Sequence, residues 1–174
     1  MPPNDKLARE LLDAISKNAH DLLEDAVLLL EHERWARAFA LATFAVEEIG
    51  KGWIFHQRHH SEGQKAFKVS TNHRAKIEAA RQLLAMYESV SETNVLDAEK
   101  MFAEEHSFRA DDDFMTHMAH LYVQVEGGRV VGGSDGVQKE DAQVAVGFAN
   151  AVVHLGIHML GPSDEPPVEH DPPF

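Results

Sequence analysis

Three charged side chains interrupt an otherwise apolar run. The stretch FALATFAVEEIGKGWIF, Phe39 to Phe55, carries Glu47, Glu48 and Lys51, and Lys51 stands between Gly50 and Gly52. A Glu47 to Lys51 pair has the i,i+4 spacing of an ordinary helix-face salt bridge, worth roughly a few tenths of a kcal/mol when exposed. Glu48 lies about one hundred degrees further round the helix, on the face of Leu41, Ala45 and Gly52. At least one acidic group is therefore expected to point toward packed protein, where a carboxylate needs a partner. Gly50 and Gly52 lower helix stability relative to alanine, which points to close approach of another backbone or a ligand.

The histidines raise the question of a metal. Helical di-iron bundles use Glu-x-x-His on two helices, and none of the twelve histidines has a glutamate three residues earlier. His-Glu-x-x-His is absent as well. His117 with His120, and His154 with His158, have spacings that could chelate zinc, but neither pair has an identifiable third ligand. A histidine-chelated metal bundle is carried only as a further alternative, and no metal or other cofactor is assigned. His154 and His158 are expected to be core or interface histidines with hydrogen-bonded nitrogens, and HQRHH at 56 to 60 a solvated helix end.

A second chemistry needs no metal. Cleavage of RNA by its own 2′-hydroxyl requires a base for that hydroxyl, an acid for the leaving oxygen and cations for the phosphorane. HSFRADDDFMTHMAHLY supplies His106, Arg109, His117 and His120, while His73 and Lys76 stand together in NHRAK. Taken singly, each also fits a surface residue or a satisfied core histidine. Between residues 51 and 81, Lys51, Arg58, Lys65, Lys68, Arg74, Lys76 and Arg81 exceed Glu62 and Glu78 by five positive charges. This segment reads either as a solvated surface balancing an acidic neighbour or as an anion-binding patch.

Helices must position these groups. Leu7, Leu11, Ile15, Ala19, Leu22, Ala26 and Leu30 recur at helical spacing. After the short interval EHER a second helix runs from near Trp35 to about His60, antiparallel to the first and nearly apolar all round, so it should be central. Ser70 or Thr71 can cap a third helix, striped by Ile77, Ala80, Leu84 and Tyr87. A fourth is expected from about Asn94 to Met118, then a β-hairpin in LYVQVEGGRVVGGSDG and a last helix from about Lys139 to Leu160. The proline-rich, acidic GPSDEPPVEHDPPF cannot build a core and reads as a disordered tail. One domain over residues 1–160 with a tail at 161–174 fits the length of 174 residues.

Composition narrows the function classes. The absence of cysteine excludes disulfides and thiolate metal sites. The formal net charge of -13 argues against a general nucleic-acid coat protein. MPPNDKLARELL lacks a secretory pattern, and the longest apolar run is broken at Glu47 and Lys51, so a soluble cytoplasmic protein with no membrane partner is expected.

Taken together, NAHDLLEDAVLLLEHERWARAFALATFAVEEIGK, Asn18 to Lys51, resembles the signature region of the AbiV family of abortive-infection proteins. NHRAK, Asn72 to Lys76, resembles its His-x-x-Lys element, and HLYVQVEGG its Leu-Tyr-Val segment before a hairpin. The resemblance implies a HEPN-like, mostly α-helical bundle of about five helices, working as a homodimer in phage defence, as a metal-independent endoribonuclease or a translation-blocking effector. Glu47, Glu48, Lys51, His73 and Lys76 carry over as family-marking positions. HEPN nucleases commonly have an arginine and a histidine separated by four to six residues on a late helix; here seven residues separate Arg109 from His117, and they include ADDD. The expected roles are phosphorane stabilisation by Arg109, acid or base catalysis by His117 or His120, and phosphate holding by Lys51, His73 and Lys76. The alternative is a non-enzymatic helical module bound and switched by a phage or host protein.

Overall fold

The computed structural model describes residues 3–62, 66, 72–90, 124–126, 129–131 and 137–161. Four helices appear among them: α1, Pro3–Glu31; α2, Trp35–Glu62; α3, His73–Val90; and α4, Lys139–Leu160. Two short strands, β1 at Gln124–Glu126 and β2 at Arg129–Val131, pair antiparallel with Val125 opposite Val130. The helix expected at Asn94 to Met118, the turn between the strands and the acidic tail lie outside the described residues.

The central place of α2 follows from its composition. It packs against α1, α3 and α4, and Ala38, Ala42, Ala45, Ile49 and Phe55 on it are essentially inaccessible to solvent. The alanines along its first half let neighbouring backbones approach closely without loss of helix propensity. On α1 the buried stripe is Ala8, Leu12, Ile15, Ala19, Leu23 and Ala26, whereas Leu7 is exposed and Leu11 and Leu22 are half-buried. The expected stripe thus keeps Ile15, Ala19 and Ala26 and shifts to the adjacent row at Ala8, Leu12 and Leu23, because two adjacent apolar rows fit the same period and packing chose between them. On α3, Ile77, Ala80 and Leu84 are buried as expected, Leu83 joins them, and Tyr87 is exposed.

The connection between α1 and α2 is tight for an identifiable reason. Glu33 takes a left-handed backbone conformation, φ 58°. The N–H of Arg34 donates to the Leu29 carbonyl at 2.8 Å and that of Glu33 to the Leu30 carbonyl at 3.1 Å. This is a Schellman ending, with glutamate where glycine is usual. His32 Nδ1 lies 2.8 Å from the Leu28 carbonyl and helps satisfy the same helix end. α3 begins at His73, so its flanking cap residue is Asn72 rather than Ser70 or Thr71, and the Asn72 carbonyl accepts from the Lys76 N–H.

α4 has the bounds read from the sequence. Its Asp141 carboxylate accepts the Gln138 backbone N–H at 2.7 Å, closing the first turn, where acids also suit the helix dipole. From Ala142 to Leu160 the helix has no Asp, Glu, Lys or Arg, which corrects the expectation that no uncharged segment reaches membrane-spanning length. By length and composition α4 passes that test, yet half of its apolar window is buried inside the bundle. Its hydrophobicity is that of a core helix packed on α1, α2 and α3.

Candidate functional site

The charged trio of α2 meets the first turn of α3. Glu47, with its side chain 6% exposed, is the buried carboxylate. Its Oε2 lies 2.6 Å from His73 Nδ1 and 3.5 Å from Lys76 Nζ. His73 and Lys76 stand three residues apart on α3 and so face the same way. No acid stands in the first turn of α3. Glu47 therefore supplies from α2 the negative charge that the α3 N-terminus favours.

Glu48 pairs with Lys51 instead. This corrects one expectation, since Lys51 is bonded to Glu48 at i,i+3 rather than to Glu47 at i,i+4, and meets the other, the acidic group directed into packed protein being Glu47. The physical reason is a better partner. A buried carboxylate is stabilised by a hydrogen bond with His73 and an ion pair with Lys76 on the neighbouring helix more than by one flexible lysine on its own.

Gly50 and Gly52 have different tasks. A Cβ on Gly50 would lie 1.8 Å from the Lys76 carbonyl oxygen, so α2 and α3 touch backbone to backbone at the site. A Cβ on Gly52 would meet the side chains of Leu160 and Ile15, a close approach within the apolar core. Gly50 stands three residues beyond Glu47 and shares its face. Glu48 likewise shares a face with Gly52, four residues beyond it, so spacing alone did not single out Glu47.

The solvent-facing side of the cluster is the basic one. His73 and Lys51 side chains are 32% and 29% exposed, against 19% for Glu48 and 6% for Glu47. Lys76 is more deeply set, at 12%. Glu47 lies beneath, so an approaching anion meets the His73 imidazole and the Lys51 ammonium before it meets that acid. Of the basic residues between 51 and 81, Lys51 and Lys76 are internally neutralised, Arg74 is exposed, and Arg58 and Arg81 are half-buried. Lys65 and Lys68 lie outside the described residues, as do Arg109, His117 and His120.

The remaining histidines are distributed differently from the sequence reading. His154 and His158 are exposed on α4, which corrects the core alternative of the core-or-interface expectation. His56 stacks on Trp53 and His59 on Phe55, with ring centroids 5.6 and 5.5 Å apart, and His59 Nε2 lies 3.5 Å from Asp5. His56 and His59 are thus docked rather than simply solvated: their rings cover apolar surface, and His59 ties the start of α1 to the end of α2. Three potential metal ligands come within 4.8 Å of one another at His20, Asp21 and Glu24. They lie on an open helix face, where Lys17 already bonds Asp21, an ordinary pattern of i,i+4 pairs.

The central helix of the bundle thus brings Glu-Glu-x-Gly-Lys against the His-x-x-Lys turn of α3. The family model described as AbiV matches residues 7–154, and the chain belongs to that family. No curated protein and no solved structure matches it.

Proposed function

We propose that this protein is an abortive-infection effector that acts on RNA, cleaving it or blocking its translation, and works as a homodimer triggered by a phage or host protein. The observation that carries the reading is the arrangement of the site: the His73 imidazole and the Lys51 ammonium nearer the surface, the Glu47 carboxylate beneath. Such an arrangement attracts phosphate while the acids keep the cations in place. Lys51, His73 and Lys76 hold the phosphate. Arg109 stabilises the phosphorane, and His117 or His120 exchanges protons with the ribose and leaving oxygens.

The test is incubation of the purified protein with cellular RNA in the presence of a chelator. Cleavage that is lost in Arg109→Ala/His117→Ala supports the mechanism. RNA that stays intact under every condition, together with undisturbed translation in an extract, overturns the reading.

One observation favours a second reading. Lys51 and Lys76 are each paired within the chain, as they would be in a structural network that pins α2 to α3 in a non-enzymatic interaction module. Growth arrest that persists in cleavage-dead variants supports that module, and arrest that disappears with cleavage removes it.

A further inference from the structure

We propose that the exposed side of α4, from Gln143 to His158, is the surface on which a second copy of this chain docks, the two α4 helices meeting antiparallel across a two-fold axis beside Asn150 and Ala151. The inference rests on the homodimer reading above and names the face that such a dimer uses.

The face is open and carries no formal charge. Gln143, Gly147, Asn150, His154 and His158 are exposed along α4, with Ala151 half-buried among them. No Asp, Glu, Lys or Arg stands between Ala142 and Leu160. The solvent side of a bundle helix is ordinarily charged, and the neighbours follow that rule: α1 exposes Arg9, Asp13, Lys17 and Glu24, and α3 exposes Arg74 and Glu78. A Cβ on Gly147 meets nothing within 4 Å, so the middle of the face is uncovered.

Charge selects the occupant. Each copy has a formal net charge of -13, which sets two copies against one another over most of their surface. They meet at low electrostatic cost only where neither presents an acid, and the centres of protein interfaces are depleted of charged residues. The polar groups here are also self-complementary. A carboxylate only accepts hydrogen bonds and an ammonium only donates them, so neither pairs with its own copy, whereas an amide or a neutral imidazole does both. A two-fold contact demands that property, because the same patch faces itself. With the axis between positions 150 and 151, Gln143 meets the partner's His158, His154 lies along the partner's Gly147, and the two Asn150 amides adjoin the axis. A lipid surface fits less well. Half of the apolar window of α4 is already buried in the bundle, and what it turns outward is amide and imidazole, which hydrocarbon does not solvate.

Sedimentation equilibrium of the intact protein should give a dimer. Asn150→Glu sets two like charges beside the axis and should raise the dimer dissociation constant at least ~10²-fold. Leu28→Glu, which adds the same charge at an exposed position of α1, should leave it unchanged. Cross-linking gives a second readout without added charge, since the chain has no cysteine and an introduced thiol reports only its own neighbours. On mild oxidation Asn150→Cys should form a covalent dimer, and Gln143→Cys should join His158→Cys when the two are mixed; Leu28→Cys should stay monomeric on a denaturing gel. Gln143→Cys joined to itself instead would make the helices parallel and overturn the arrangement. A wild-type dimer that survives Asn150→Glu, or an Asn150→Cys protein that cross-links no faster than Leu28→Cys, overturns the α4 interface and leaves the homodimer reading standing. A wild-type monomer at every concentration overturns both. Flotation of wild-type but not Asn150→Glu protein with phosphatidylcholine vesicles would give the face to lipid and overturn the inference.

Discussion

Replacing Gly50 with alanine adds one methyl group at the point where α2 touches α3. The new Cβ would stand 1.8 Å from the Lys76 carbonyl oxygen, 2.6 Å from its carbon and 3.1 Å from its Cα. All three are backbone atoms within a helix, so no rotamer change relieves the clash. Ordinary contact begins at 3.4 Å, so the two helices must separate locally by 1.6 Å. A displacement of that size stretches the 2.6 Å link between Glu47 and His73 beyond hydrogen-bonding distance. Overpacking costs about 1–3 kcal/mol and loss of a buried polar contact about 1–3 kcal/mol, while the better helix propensity of alanine returns about 1 kcal/mol. The expected net destabilisation is about 3 kcal/mol, or roughly 6–12 °C in Tm for a chain of this size. Gly147 on α4 is the control, since a Cβ there meets nothing within 4 Å. Gly147→Ala should stabilise the protein by about 0.5–1 kcal/mol. Thermal unfolding followed by circular dichroism reads both variants. A Gly50→Ala protein that melts at or above the wild-type temperature refutes the backbone contact and the site geometry built on it.

Glu47→Ala leaves His73 and Lys76 without their shared partner and should destabilise the fold by about 3 kcal/mol; a urea midpoint equal to that of the wild type would show that the network contributes nothing to stability. Glu33→Gly relieves the left-handed φ of 58° and should stabilise the protein by about 0.5–1 kcal/mol, read as a higher denaturation midpoint at unchanged m-value. The hydrogen bond to Asp21, reinforced by its charge, raises the Lys17 ammonium above its ordinary range. The raised group contributes stability in full below its unfolded-state value and loses that contribution as pH rises through the folded value. The stability difference between wild type and Lys17→Met should therefore be flat through neutral pH and shrink only at strongly alkaline pH; a difference that grows there contradicts the pairing.

The sequence by itself determined which of the described segments are helices, that α2 is the central one, and where α4 starts and stops. Each depends on local periodicity and capping chemistry, which neighbouring residues are enough to specify. It also determined that a carboxylate within FALATFAVEEIGKGWIF needs a partner and that the glycines mark close approach. Only the tertiary structure decided that the buried acid is Glu47, that Glu48 takes Lys51, and that Gly50 rather than Gly52 lies against the site. The same holds for His154 and His158, whose spacing says nothing about whether their side of α4 is covered. Spacing along a chain fixes angles around one helix axis, and adjacent residues such as Glu47 and Glu48 differ by only about one hundred degrees. Which of them finds a donor depends on where the first turn of α3 comes to rest, and that is set by apolar packing across the whole bundle.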